Sequence, residues 1–317
     1  MTPIFSNAFR RLEGSLTVLV FLLTVLPSSH ADASAIVVVP DRLCLPGEEI
    51  TIEATLYRGG FLGFLQGGIP GELLRFFDPH GNPLRALLTD PSGTARIRYK
   101  AGSPGRYPIT VRLAENPRYS ADPSTGSVFV QSAGQSLLFV TVEDGLMPPS
   151  STPLLPKDPR EQEALPGSVK ALSNVAPCHM LVYLTKWPKP SSHQIRSWLE
   201  DKGYPPGPIY FLDRHPISGI FSEAPAPDTD LLESLWKERS VPAHLVTRDA
   251  SLAEAAQAKG VRVLLLLREA TSTSGTPRKQ EDQDGESKHE DGIRSIQDWP
   301  AILTICRCET EHEQNTR

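Results

Sequence analysis

Two hydrophobic patterns divide this sequence. Between residues 36 and 131 the apolar side chains come in short runs, several alternating with polar ones, and each run is closed by a turn signal. Runs at 36–39, 50–57, 73–77, 95–99, 109–113 and 127–130 predict strands. They are separated by Pro46-Gly47-Glu48-Glu49, Asp78-Pro79-His80-Gly81-Asn82-Pro83 and Thr89-Asp90-Pro91-Ser92-Gly93-Thr94. Short strands with regular turns and no helical period describe an all-β sandwich.

Beyond residue 136 the pattern changes. Residues 137–142, 180–184, 209–212, 243–246 and 261–267 are apolar almost without interruption, as in strands covered on both faces. Between them lie apolar faces at helical spacing: Ile195, Trp198 and Leu199; Leu231, Leu232, Leu235 and Trp236; Leu252, Ala255 and Ala256. Ser191 and Ser192 offer N-caps to the first helix, and Ser251-x-x-Glu254 reads as a capping box for the last. Gly203 and Gly260 end those two helices. Residues 148–166 read as extended proline-rich loop, residues 215–228 as a second loop, and residues 296–303 as a short closing helix interrupted by Pro300. The order is that of an open parallel sheet with helices on its faces, in which ligands sit at the carboxyl ends of the strands. The residues there are Val142-Glu143-Asp144-Gly145, Thr185-Lys186, Asp213 and Arg248-Asp249.

The ends of the chain add an address. Arg10 and Arg11 precede the apolar run 16–26, and Pro27-Ser28-Ser29-His30-Ala31-Asp32-Ala33 follows. A positive flank, a short apolar core and small residues predict a secretory signal peptide over 1–33, cleaved after Ala31 or Ala33. Read instead as an uncleaved anchor, the run is short for a span of about 20 residues. The prediction is export, to a periplasmic or extracellular space. A sandwich over 34–134, an α/β domain over 135–269, a disordered acidic loop over 270–294 and a C-terminal helix and tail over 295–317 complete the division. Thirty prolines fit turns and linkers better than a helical bundle, and a formal net charge of -5 disfavours a general nucleic-acid binder. Four cysteines allow three disulfide pairings that spacing cannot separate. Cys306-Arg307-Cys308 followed by His312 is poor zinc spacing, and His179, His215 and His244 read as surface or packing residues. No Ser/His/Asp arrangement, nucleophile elbow or phosphate-cradling glycine loop is visible.

Pro46-Gly47-Glu48, the Asp90 to Gly93 turn, Gly105-Arg106-Tyr107-Pro108-Ile109 and Val128-Phe129-Val130 together resemble the bacterial immunoglobulin-like modules of exported proteins. Such modules serve as spacers or adhesion surfaces, which makes residues 36–131 a candidate surface for a protein partner. The glycine-rich insert 59–68 is either a binding tip or a loop folded onto its own sheet.

The second half resembles the haloacid-dehalogenase-like (HAD) phosphatases, in the branch of phosphatidate phosphatase and lipin-like catalytic domains. The resemblance rests on Tyr183-Leu184-Thr185, Trp187, Ile195, Trp198-Leu199 and Gly203-Tyr204-Pro205-Pro206-Gly207-Pro208, and on Leu245-Val246-Thr247-Arg248-Asp249 with the helix and strand after it. With the resemblance of the first half, it implies an all-β immunoglobulin-like sandwich followed by an α/β open parallel-sheet (HAD-like, Rossmannoid) domain. It also implies the family's chemistry: attack on phosphorus by a strand-end aspartate, proton transfer by a carboxylate two residues on, a Ser/Thr and a lysine holding phosphoryl oxygens, and magnesium. In that register Asp144 matches the acid/base, Thr185 the phosphate-holding hydroxyl and Asp249 the late metal ligand. The nucleophile position falls on Val142, which cannot attack. Glu143 is a carboxylate that strand alternation points away from the Asp144 face. Asp228, Thr229 and Asp230 stand where the family lysine belongs, leaving Lys186 and Lys237 as substitutes by proximity. Each match also has a plain structural account: a turn for Asp144, backbone satisfaction for Thr185, a helix cap for Asp249.

The resemblance therefore implies a degenerate, non-catalytic phosphatase-like domain without a cofactor, binding a phosphorylated, lipid-headgroup-like ligand through Thr185 and Lys186. The competing readings are an active magnesium-dependent phosphatase using Glu143 or Asp144, and an envelope scaffold acting through the sandwich.

Overall fold

In a computed structural model of the chain, residues 33–60, 67–148, 158–212, 230–237, 241–267 and 293–306 are described. Most of the segment read as a signal peptide, residues 61–66 of the glycine-rich insert, Asp213, residues 215–228, most of the acidic stretch 270–294 and residues 307–317 lie outside them. No described helix is long and apolar enough to cross a membrane.

Among the described residues, nine strands build the first unit: β1 (Ala33–Val38), β2 (Arg42–Cys44), β3 (Glu49–Arg58), β4 (Leu73–Phe77), β5 (Pro83–Leu88), β6 (Thr94–Lys100), β7 (Gly105–Leu113), β8 (Tyr119–Ser120) and β9 (Ser124–Val130). They form two sheets, β6-β3-β1-β8 and β2-β9-β7-β4-β5. The inward residues of both, among them Val37, Ile52, Leu56, Leu74, Phe76, Ile109, Val111 and Val128, make one core. The sandwich is as expected, with three strands the pattern did not predict. β2 and β8 are very short. β5 lies on an edge with mostly exposed side chains, so it carries no alternation, and Leu88 stands 64% exposed. The turn after β5 needs its glycine: at Gly93, with φ 77°, a Cβ would fall 2.4 Å from the Gly68 backbone.

The second unit is a six-stranded sheet of β10 (Ser136–Thr141), β11 (His179–Thr185), β12 (Ile209–Phe211), β13 (Ala243–Thr247), β14 (Arg262–Leu266) and β15 (Ile293–Ile296). All pairs are parallel, in the order β12-β11-β10-β13-β14-β15. The chain runs outward from β10 to β12, then returns to β10's other side for β13. That reversal places the topological switch point at the carboxyl ends of β10, β11 and β13. Among the described residues, five helices accompany the sheet: α1 (Ser168–Val175), α2 (Ser192–Asp201), α3 (Asp230–Lys237), α4 (Ala250–Ala258) and α5 (Ile302–Ile305).

Alternation within the buried strands divides the core. Leu138, Val140, Leu181, Tyr183 and Val246 face α1, α2 and Trp299. Leu137, Phe139, Val182, Leu184 and Leu245 face α3 and α4, together with Leu43 and Phe129 of the sandwich. The sandwich thus shares a core with the sheet. Asp41 seals the junction where the chain crosses from β1 to β2. Its fully buried carboxylate accepts Ser127 N–H (2.7 Å), Ile209 N–H (2.9 Å) and the Arg196 guanidinium (2.7 Å). The Leu43 N–H donates to Tyr210 Oη (2.9 Å) beside it.

Several expectations are corrected. The first crossover contains α1, where only loop was expected; its buried Ser168, Ala171, Leu172 and Val175 keep helical spacing, but proline-rich flanks obscure it. Residues 293–296 pair with β14 as an edge strand rather than belonging to loop and helix; only Ile293 and Ile296 of the four are apolar. The closing helix shrinks to a 3₁₀ turn at Trp299–Ala301 followed by α5. Ser191 stands at the start of α2 without a capping hydrogen bond, because a 3₁₀ turn at Lys189–Ser191 leads into the helix. Ser251 lies inside α4, which Asp249 caps, and Ala253 rather than Ala255 faces the core.

Candidate functional site

Three strand ends meet at the switch point. β10 stops at Thr141 and the chain turns at once into a single π-helical turn, Val142–Leu146, closed by Met147 N–H to Val142 O at 3.0 Å. That turn ends strand alternation, so the expectation that Glu143 points away from Asp144's neighbourhood fails. Val142 instead continues the Leu138 and Val140 face and is fully buried in the apolar core. The Trp299 indole N–H to Gly145 O (3.1 Å) and Leu165 N–H to Leu146 O (2.8 Å) hold the turn from outside.

Glu143 reaches the end of β11. Its Oε1 accepts the Thr185 hydroxyl and the Lys186 backbone N–H, the latter at 3.1 Å. Thr185 Oγ1 in turn accepts Trp187 N–H at 3.1 Å. The residue keeps some exposed surface, but Glu143 Oε2 has none and no hydrogen-bond partner among the described residues. Burial pushes its carboxyl above the usual range, opposed by the bonds from Thr185 and Lys186.

Lys186 crosses to the other side of the site. Its ammonium bonds Asp144 Oδ2 and Asp249 Oδ2, the second at 2.8 Å. Asp249 performs two tasks at once: Oδ1 caps α4 by accepting Ser251 and Leu252 N–H, and Oδ2 holds Lys186. Burial pushes Asp249 up, but the bonds from Lys186 and Ser251 outweigh it and hold the carboxyl at about 2. Burial lowers Lys186 in the same way, yet the two aspartates leave it raised. Asp144, Thr185, Lys186 and Asp249 therefore come together as the sequence suggested, with Glu143 added; Lys237, on α3, instead pairs with Glu233. Among the described residues the cluster holds three carboxylates and one ammonium. Magnesium does not fit this arrangement, because Asp249, the one matched metal ligand, already holds the Lys186 ammonium and Val142 stands at the partner position.

The opposite end of the sheet holds a second group. His179 at the start of β11, His244 in β13 and Cys306 at the end of α5 lie on the α1 and α2 face. One donor atom from each lies within 4.8 Å of the others, and all three residues are buried. His179 Nδ1 is 3.3 Å from Val175 O at the end of α1, while His244 Nδ1 is buried with no partner among the described residues. Burial lowers His179, and burial with the nearby His179 and Arg262 lowers His244 to about 4; burial raises Cys306 to about 11. No local spacing announces this group, since its members come from three elements far apart in sequence. Only the parity of the two histidines in their strands was readable. The Cys306, Cys308 and His312 reading does not include either histidine, and its last two members lie outside the described residues.

No family model matches the sequence, and no curated protein matches it. Similar solved structures include the fibronectin(III)-like modules of CbhA from Clostridium thermocellum, 16% identical over 31% of this chain and 47% of that one, with a TM-score of 0.23. Another is the CARDB domain of the PF1109 protein from Pyrococcus furiosus, in complex with di-metal ions: 15% identical over 32% of this chain and 88% of that one, TM-score 0.22. A glycosyl hydrolase family 2 member from Bacteroides cellulosilyticus is 8% identical over 73% of this chain and 36% of that one, TM-score 0.26. The chain spans about half the length of the CbhA structure it matches.

Proposed function

We propose that this is an exported two-domain binding protein whose HAD-like α/β domain is not a hydrolase. The observation that carries the reading is the Lys186 ammonium between Asp144 and Asp249, 2.8 Å from the latter. In the register of the resemblance, a positive charge from the chain itself occupies Asp249, the carboxylate that would hold a divalent ion. Val142 lies in the core, and Glu143, the nearest other carboxylate, has one oxygen engaged by two donors and the other without accessible surface. Neither side chain offers phosphorus an attacking oxygen. The disulfide bond at Cys178 supports an oxidising compartment and hence export.

The ligand class is the phosphorylated headgroup that the resemblance implies, held by Thr185 and Lys186. Both donors are engaged by carboxylates, so a phosphate enters by displacing them, and affinity is expected to be weak, with Kd about 1 mM or above. Purified full chain with magnesium, assayed on phosphatidate and on an aryl phosphate, should show no turnover. Metal-dependent turnover lost in Asp144→Asn would overturn the reading in favour of an active phosphatase. A second reading, an envelope scaffold, is favoured by the core that the sandwich shares with the sheet. In that case residues 36–131 carry the partner surface, and inorganic phosphate leaves the thermal midpoint of the full chain unchanged.

A further inference from the structure

The geometry points to a metal site at the amino end of the parallel sheet, formed by His179, His244 and Cys306, for a thiophilic divalent cation of the zinc type. Parity places the two imidazoles on one face. His179 shares its face with Leu181 and Tyr183, and His244 with Val246, so both project toward the layer of α1 and α5. The turn at the end of α5 brings Cys306 to the same place.

The hydrogen bonding is that of ligands rather than of packing residues. His179 Nδ1–H directed at Val175 O (3.3 Å) leaves Nε2 with its lone pair free. A backbone carbonyl on the far nitrogen is how metal-binding imidazoles are commonly oriented. His244 Nδ1 is buried, and nothing among the described residues satisfies it. An orphaned buried nitrogen costs stability unless it has a partner. A cation between the three donors supplies one.

Donor atoms within 4.8 Å of one another close by about 1 Å to reach the separations set by Zn–N bonds of about 2.0 Å and Zn–S bonds of about 2.3 Å. Two imidazoles and a thiolate suit zinc and exclude magnesium or calcium, which take oxygen. Coordination converts the Cys306 thiol to a thiolate, with its proton passing to solvent. The remaining coordination position is left for a small ligand such as water. This group stands at the other end of the strands from Lys186, so it is independent of the function proposed above.

Cobalt(II) and zinc(II) test it on the full chain after metal stripping. One equivalent of cobalt should give thiolate-to-metal charge-transfer absorption with the intense visible bands of a tetrahedral site, bleached by zinc. Cys306→Ala should abolish the charge-transfer band with the far-ultraviolet circular dichroism unchanged. His244→Gln should weaken zinc binding by at least about 10-fold. Absence of the charge-transfer band in the parent protein overturns the proposal, whether or not the variants fold. So does its persistence in Cys306→Ala, or zinc affinity unchanged by His244→Gln.

Discussion

The two ends of the parallel sheet treat polar side chains in opposite ways. At the carboxyl end, three carboxylates, a hydroxyl and an ammonium bond one another, and among the described residues Glu143 Oε2 and the neighbouring Arg248 Nε are left over. At the amino end, two imidazoles and a thiol approach closely, and an imidazole nitrogen has no partner among the described residues. A cluster whose charges are matched within the chain has less to give a ligand than one whose donors stand unpaired. The second end is therefore the better place to look for a small bound species, although the resemblance directs attention to the first.

The contrast can be broken most forcefully at Lys186. Lys186→Met leaves Asp144 and Asp249 facing each other without a counter-charge, and should lower unfolding free energy by about 2 kcal/mol in urea titrations at pH 7. Added calcium or magnesium should recover part of that loss in the variant and do nothing to the parent. Acid offers a smaller test. Asp249 titrates at about 2 in the folded chain against roughly 3.9 unfolded. Its contribution is present above about pH 4 and fades as pH falls through 2; allowing for solvent screening it amounts to about 1 kcal/mol. The stability gap between parent and Asp249→Asn, followed by urea midpoints, should close over that window.

Glu143→Gln keeps an acceptor for Thr185 and Lys186 and removes a charge that burial disfavours. The change should stay within about 1 kcal/mol, with the variant gaining on the parent as pH rises through the raised carboxyl titration. The smallest effect belongs to the amino end. In metal-free buffer His244→Leu should alter stability by no more than about 0.5 kcal/mol, because the apolar side chain removes an unmet nitrogen. With zinc present, the parent alone should gain in thermal midpoint.

Much of this architecture is written in the periodicity. The continuous apolar runs of β10, β11, β13 and β14 require burial on two faces, and only a helix-covered parallel sheet provides it. Strands that turn few side chains fully inward, such as β5 and β15, are held largely by their ladders and leave a weak hydrophobic trace. At the site, Asp144, Thr185 and Asp249 were legible because each lies at or just beyond a strand end. Glu143 was misplaced because alternation was extended one residue past Thr141, where the backbone had already turned into a helix. The His179, His244 and Cys306 group was illegible for a different reason: contact across β10 and to α5 has no counterpart in local spacing.

Asp41 draws donors from β9, α2 and β12 into one sealed carboxylate. Because those donors belong to both folds, the joint between them behaves as a weld and not as a hinge. Force applied to the outer strands passes directly into the sheet, so a binding event on one unit would be felt as a fixed orientation of the other.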